Sequence, residues 1–202
     1  MTRVLPPVIP AAAAEVTALA DLVAEAFSTL DAARWLVPDP EVRRAAMAGQ
    51  FALLVEHALA FGHVDLLADG SAVAVWLHRT RPIPAPPDYD RRLDVACGEH
   101  ADRFRILDAL FDAHHPGEPH HHLAMLAVTP RCQGTGRGTV LLRHHHSRLD
   151  AGGIPAYLEA ADLRCRALYA REGYVALTPF VLPDSDARFH PMWRPPHLCL
   201  HP

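Results

Sequence analysis

Lysine and asparagine are absent from this sequence, and arginine supplies all 19 of its basic residues. Without lysine, the chain cannot hold pyridoxal phosphate as a Schiff base. It also cannot supply the lysine of a Walker A nucleotide-binding loop. Pyridoxal-phosphate enzymes and standard P-loop NTPases are therefore excluded. The joint loss of two residue types indicates a codon-usage bias rather than selection on function.

An excess of positive charge is also missing, since the formal net charge is −4 and the pI is near 6.4. Proteins that bind nucleic acids or anionic membranes usually carry a basic excess, so we expect neither partner. The apolar run from Leu123 to Val128 has six residues, whereas a membrane-spanning helix needs about 20. No cleavable leader pattern opens the sequence. We expect one cytoplasmic domain over residues 1–202, with a core from about residue 10 to residue 195.

Cysteine is scarce and histidine abundant. The chain has four cysteines (Cys97, Cys132, Cys165 and Cys199) at wide spacing and without a CxxC motif. This spacing predicts reduced thiols rather than a zinc knuckle or a disulfide framework. By contrast, the chain has 15 histidines, concentrated between His114 and His146.

Hydrophobic spacing and turn residues predict helices and strands that alternate in the second half of the chain, as in a mixed α/β sheet. A proline-rich loop over 81–88 is the clearest break, and an irregular tail starts at Pro195. Helices are predicted over residues 11–30, 40–61, 88–114 (with a break near Gly98), 137–151 and 162–171. Strands are predicted at the edge within residues 1–10 and over 63–68, 72–77, 120–128, 155–160, 174–182 and 188–194.

A glycine-rich turn over residues 133–138 follows a predicted strand and opens a predicted helix. Glycines allow positive φ angles and leave no Cβ to block a ligand, so successive N–H groups can form a nest for an anion. The positive end of the helix dipole lies at the same place. The turn therefore predicts a site for a phosphate or pyrophosphate group. The dinucleotide fingerprint fails because its third glycine would be Thr139, and Walker A fails because no GK[ST] is present.

The pattern L-x-V-x-P-x-x-Q-G-x-G-x-G-x-x-L-L, which runs from Leu126 to Leu142, resembles the pyrophosphate loop of the GCN5-related N-acetyltransferase (GNAT) family. Residues 157–160 and 166–174 resemble the next strand and helix of that family. Upstream, residues 69–76 and 114–119 are similar to puromycin N-acetyltransferases and their relatives. The resemblance implies an α/β (α+β) fold with a mixed, mostly antiparallel sheet of six to seven strands. Helices flank this sheet, and its fourth and fifth strands splay apart.

The resemblance also implies an activity, in which acetyl-CoA serves as cosubstrate. The chain would transfer the acetyl group to a primary amine of a small molecule, by direct attack in a ternary complex. Antibiotics and amino-nucleosides are candidate acceptors, and a homodimer is a family-level expectation. Two alternatives stay open: acetylation of a protein or peptide amine, and a non-catalytic role as an acyl-CoA sensor or regulator.

By the same resemblance, one strand and the glycine-rich turn hold acetyl-CoA. The strand backbone would pair with the pantetheine arm, the turn would bind the pyrophosphate, and Arg131 or Arg137 would reach phosphate oxygens or stay solvated. Cys165 stands where relatives carry asparagine, and because a thiol is a poor donor, that contact would be weakened. The expected cofactor-binding residues are Leu126, Ala127, Val128, Arg131, Gln133, Gly134, Thr135, Gly136, Arg137, Gly138, Thr139, Cys165 and Leu168.

Tyr169 is the candidate acid, because a phenol can donate to the departing CoA sulfur; otherwise it packs on the sheet. Glu159 is a candidate base, because burial in an apolar strand raises a carboxyl pKa toward a useful range. Alternatively, Glu159 is a strand-end carboxylate paired with an arginine, or the amine loses its proton through water. His120 and His122 are further candidates for the base.

The spacing of the histidines along the sequence predicts no metal site. In a strand, His120 and His122 share one face and His121 takes the other. Residues 144–146 lie on a predicted helix about 100° apart, so these three cannot converge on one metal. We expect them, and the pair His114 and His115, to be solvated, and we expect no metal cofactor.

Overall fold

The structure is a computed structural model that describes residues 4–197, so Cys199 lies outside the described residues. Its helices are α1 (Val16–Phe27), α2 (Asp31–Leu36), α3 (Pro40–Phe61), α4 (Tyr89–Cys97), α5 (Ala101–His114), α6 (Arg137–Gly152) and α7 (Leu163–Arg171). Its strands are β1 (Val8–Pro10), β2 (Gly62–Leu67), β3 (Ala72–Arg79), β4 (His120–Val128), β5 (Ala156–Ala160), β6 (Val175–Ala176), β7 (Phe180–Val181) and β8 (Arg188–Arg194). None of these helices is long and apolar enough to cross a membrane.

The strands form one sheet in the order β1-β2-β3-β4-β5-β8-β6, and β7 pairs with β8. All neighbouring strands are antiparallel except β4 and β5, which are parallel. The predicted mixed, mostly antiparallel sheet is thereby confirmed. It has eight strands within residues 4–197 because the predicted strand over 174–182 is broken into β6 and β7.

The parallel pairing of β4 with β5 is short. It joins His121 to Ala156 at one end and Leu123 to Leu158 at the other, and it stops there. Beyond this point β4 continues to Val128 along β3 alone, while β5 continues along β8. The two central strands therefore separate at their carboxyl ends, as the predicted splay requires.

Each face of the sheet carries its own hydrophobic core. Helices α1, α3, α4 and α5 pack on one face against side chains that include Val75, Leu77 and Met125. Helix α6 packs on the other face, where Trp76 and Leu123 are fully or almost fully buried. A register shift between Val75 and Trp76 leaves a β-bulge in the pairing of β3 with β4. The bulge sets which β4 residues point to which core.

Local chemistry explains most element boundaries. Helix α3 begins after Asp39, whose side chain accepts a hydrogen bond from the Glu41 N–H, and it has proline at its first position. Gly98, with a φ of 52°, separates α4 from α5 where a break was predicted. Helix α2 was not predicted, because six residues are too few to show a helical period.

We predict that Gly62→Ala destabilises the fold. A Cβ at this junction of α3 with β2 would lie 1.8 Å from the Trp76 carbonyl oxygen, which belongs to the paired strand β3. The backbone would have to shift, and such overpacking costs about 1–3 kcal/mol. Urea unfolding measures the change in the free energy of unfolding. Gly117→Ala is the matched control, because a Cβ there meets nothing within 4 Å. Equal stabilities of the two variants would contradict the prediction.

Candidate active site

The gap between β4 and β5 exposes one edge of β4. The Thr129 N–H donates to the Ser71 carbonyl on the β3 side, so by antiparallel alternation the backbone groups of Ala127 also point to β3. The N–H groups of Leu126 and Val128 then point into the gap. On that side the Gln133 amide donates to the Val128 carbonyl over 3.3 Å. Of the three β4 residues expected to pair with a pantetheine arm, Leu126 and Val128 have the required orientation and Ala127 does not.

The glycine-rich turn at the end of this gap has the shape of an anion nest. Gly134 and Gly136 have φ angles of 75° and 86°, and Gly136 is the N-cap of α6. Only glycine adopts such angles without strain. A Cβ on Gly138 would lie 3.4 Å from the Leu126 side chain, so this glycine lets α6 approach β4 closely. The first N–H groups of α6 are thereby presented to the turn.

The Arg137 side chain points into the protein and holds the turn in place, rather than extending into solvent. Its buried guanidinium donates to the Ser71 hydroxyl (2.7 Å), the Thr135 hydroxyl (2.9 Å) and the Asp69 carboxylate (3.1 Å). This side chain is therefore neither solvated nor directed outward, although its backbone N–H still lies in the first turn of α6. Arg131 is exposed, as a phosphate contact requires. Arg164 of α7 was not predicted, but its guanidinium lies 3.9 Å from a Cβ built on Gly134.

Helix α7 covers the gap from the α6 side. Tyr169 is 7% exposed and packs against Tyr174, with ring centroids 5.8 Å apart. Its hydroxyl forms no hydrogen bond with residues 4–197, and burial raises its pKa well above the usual value, so the phenol stays a proton donor. Cys165 lies half-buried, one turn earlier, beside Leu168. Burial raises the pKa of its thiol to about 12, so it stays neutral.

Glu159 and His122 form a buried pair where β4 and β5 separate. The His122 Nε2 donates to the Glu159 Oε2 over 2.8 Å, and the two side chains are 11% and 5% exposed. Glu159 directly follows the last paired residue of β5, and His122 precedes the last paired residue of β4. Glu159 thus has histidine as its partner and not the arginine considered above. A carboxylate beside an imidazole can take up and hold a proton.

Two more histidines extend this pair. The His115 Nδ1 lies 3.9 Å from the Glu159 Oε1, which has no hydrogen-bond partner among residues 4–197. The His115 Nε2 lies 3.0 Å from the His120 Nε2. The His120 Nδ1 contacts the Glu118 carbonyl over 2.6 Å, so this nitrogen is the donor. Burial and the nearby His122 and Arg79 lower the pKa of His115 to about 2. His115 is therefore neutral at pH 7.

The structure brings together three of the four predicted catalytic residues, namely Glu159, His120 and His122, and it places Tyr169 on α7. It adds His115, which was expected to be solvated but is mostly buried. No sequence pattern could have shown this, since the contact depends on how α5 meets β4. Arg79 of β3 lies opposite His120 of β4. This pairing likewise depends on the register of the two strands, which the sequence does not show.

The expectation for the helical histidines is wrong. His145 and His146 are 2% and 4% exposed, so they are buried rather than solvated. The three neighbours on α6 do point apart, but His145 meets His78 of β3 and His121 of β4, with potential ligand atoms within 4.8 Å of one another. His115, His122 and Glu159 form a second such group.

Comparisons with known proteins identify the same fold. A sequence model described as the Acetyltransferase (GNAT) family matches residues 87–174. A structure of histone acetyltransferase HPA2 and related acetyltransferase from Corynebacterium glutamicum is 30% identical with a TM-score of 0.74, over 98% of this chain and 100% of that one.

More distant structures share the fold alone. A GCN5-related N-acetyltransferase from Rhodopseudomonas palustris is 16% identical with a TM-score of 0.56, over 96% of this chain and 98% of that one. Arylalkylamine N-acetyltransferase 2 from Aedes aegypti is 13% identical with a TM-score of 0.57, over 94% of this chain and 98% of that one.

We predict that acid destabilises the protein well above the range in which carboxylates titrate. Burial lowers the pKa of His115 to about 2 and that of His146 to about 3, whereas an unfolded histidine titrates near 6.5. Below pH 6.5 the unfolded state therefore binds more protons than the folded state. The free energy of unfolding then falls as the pH drops, by up to about 1.4 kcal/mol per pH unit for each such histidine.

Urea unfolding between pH 7 and pH 5 measures this slope. His146→Gln should make the slope shallower, and His100→Gln, in the turn between α4 and α5, should leave it unchanged. A free energy of unfolding that is constant over this range would contradict the prediction.

Proposed function

The chain belongs to the GNAT acetyltransferase family, and on that premise we propose that it transfers the acetyl group of acetyl-CoA to a primary amine of a small molecule. The transfer is a direct attack within a ternary complex, and residues 1–202 act as one catalytic domain. The observation that carries the proposal is the Glu159 and His122 pair, buried at the point where β4 and β5 separate.

Acetyl-CoA binding would use the open edge of β4 and the turn that follows it. The N–H groups of Leu126 and Val128 supply donors along the gap, as an added strand would need. The nest around Gly134 and Gly136 and the start of α6 supply N–H groups and a positive dipole for the pyrophosphate. Arg131 and Arg164 add positive charge beside it.

The acceptor amine attacks the thioester carbonyl, so that a C–N bond forms and the negative charge moves to the carbonyl oxygen. A β4 N–H that points into the gap donates to this oxygen. The Glu159 and His122 pair takes the proton that the amine loses. When the C–S bond breaks, the Tyr169 hydroxyl donates a proton to the departing thiolate.

The surroundings of Glu159 favour a small acceptor over a basic peptide. The carboxylate is 5% exposed, and its ionisable neighbours are His122 at 2.8 Å and His115 at 3.9 Å. Within the described residues, Glu159 is grouped with two histidines and with no second carboxylate, whereas a lysine-rich peptide would favour an acidic groove. Acetylation of a protein amine is the second candidate, because the 30% identical structure carries the name of a histone acetyltransferase.

We predict that Tyr169→Phe and Glu159→Gln each lower kcat by about 10²- to 10⁴-fold, the range typical of a lost acid or base. Acetyl-CoA affinity should stay within a few fold, because neither side chain lines the pyrophosphate nest. In Glu159→Gln, kcat/KM should rise with pH through the amine's own pKa, since only the free amine then reacts. The measurement is release of free CoA with a broad panel of small amines, with acetyl-CoA affinity from calorimetry.

Matched controls are Tyr174→Phe, whose phenol instead contacts His146 over 3.0 Å, and Glu118→Gln, whose exposed carboxylate is outside the pair. Both should keep near-normal turnover. If the protein neither binds acetyl-CoA nor releases CoA with any amine, the proposed function is wrong. If only histone-like peptides react, the second candidate replaces the first.

A further inference from the structure

Three histidines from three different elements meet under α6, on the face of the sheet opposite Glu159. His78 and His121 are direct partners across β3 and β4, and their rings stack at 4.0 Å. His145 approaches from α6, with its Nε2 3.0 Å from the His121 Nδ1. The acetyl-transfer proposal makes no use of these residues, although each is costly to bury.

The three imidazoles are in the form that binds metals. Burial and the other histidines nearby lower the pKa of His121 to about 3, and burial also lowers the pKa values of His78 and His145. All three are therefore neutral at pH 7. The His78 Nε2 is buried and has no hydrogen-bond partner in the described part of the chain. Neutral imidazole nitrogens are the ligands that zinc, copper and nickel prefer in proteins.

Asp65 provides an independent observation beside these histidines, because it is a buried carboxylate whose hydrogen-bonding capacity is unused within residues 4–197. Its side chain is 1% exposed, and neither carboxylate oxygen has a hydrogen-bond partner within residues 4–197. The nearest nitrogens are the His145 Nδ1 and the Arg148 Nη1, each 3.7 Å from Oδ2. Burial raises its pKa, but His145, His63 and Arg148 bring the pKa below the usual value, so Asp65 is ionised. An ionised carboxylate without hydrogen bonds is expensive to bury.

We propose that His78, His121 and His145 bind one divalent transition-metal ion, with zinc as the cation that fits best. Three imidazoles and one water would complete the four-coordinate shell of Zn²⁺. Asp65 would accept from the His145 Nδ1–H, the usual arrangement of a carboxylate behind a metal-bound histidine. His78 and His121 are half-buried, which leaves room for the water and for the ring rotation that their stacked geometry requires.

The experiment measures zinc binding alone, so its outcome is independent of acetyl transfer. Tag-free protein is stripped of metal with a chelator, returned to chelator-free buffer, and titrated with Zn²⁺ by calorimetry. We expect a saturable site of one equivalent and a higher Tm in the presence of zinc. The Co²⁺-loaded protein should show the visible absorption of a four-coordinate site.

His78→Gln and His121→Gln should each remove this equivalent or weaken it by at least about 100-fold, and Asp65→Asn should weaken it by about 10- to 100-fold. Circular dichroism verifies that each variant is folded, and using both histidine variants guards against the failure of one to fold. His144→Gln is the matched control, since it lies next to His145 on α6 but outside the cluster.

Two results would overturn the proposal. The first is the absence of saturable binding, or binding weakened equally by His144→Gln, which would show only adventitious histidine contacts. The second is binding that survives both cluster variants but is lost in His122→Gln, which would place the metal in the group with His115 and Glu159.

Discussion

The early end of the pairing between β4 and β5 is the constraint on which the rest of this structure depends. After Leu123 and Leu158 the two strands share no ladder, so the N–H and C=O groups on one edge of β4 lack partners within the sheet. Unpaired backbone groups are costly to bury, and a ligand that adds its own amide groups lowers that cost. The same separation leaves space beside the carboxyl ends of the strands, where the glycine-rich turn and the Glu159 pair both lie.

The part of the site that we propose for acetyl-CoA is predictable from sequence because it is local. Strand β4, the turn after it and helix α6 follow one another within residues 120–152, and turn glycines and a proline break mark their boundaries. Two details of this segment were not predicted: the Ala127 backbone points to β3, and the Arg137 side chain points inward. That side chain reaches back to Ser71 and Asp69, which are about 66 residues away in sequence, so no local pattern reveals the contact.

The histidine clusters could not be predicted from the sequence, because the register of the strands decides which histidines meet. Strict alternation along β4 would place His122 on the same face as Leu126, which packs under α6. The bulge beside Val75 and Trp76 interrupts the alternation, so that Leu123 lies under α6 while Met125 lies in the opposite core. His122 then points to Glu159, and His121 points to His145. From the sequence alone, His121 is expected on the face of β4 opposite to His120 and His122. The sequence does not show which of these faces packs under α6.

The two faces of the sheet differ in the distance between a buried carboxylate and the histidine beside it. Each face buries a carboxylate beside a histidine. Glu159 accepts a hydrogen bond from His122 over 2.8 Å, which is within the range that proton transfer requires. Asp65 lies 3.7 Å from the His145 Nδ1, and both its oxygens lack hydrogen-bond partners in residues 4–197. The Arg148 guanidinium lies 3.7 Å from the same carboxylate oxygen, so Asp65 has a cation nearby but no hydrogen bond to it. The two proposals thus assign proton transfer to the face on which Glu159 lies and metal binding to the face that α6 covers.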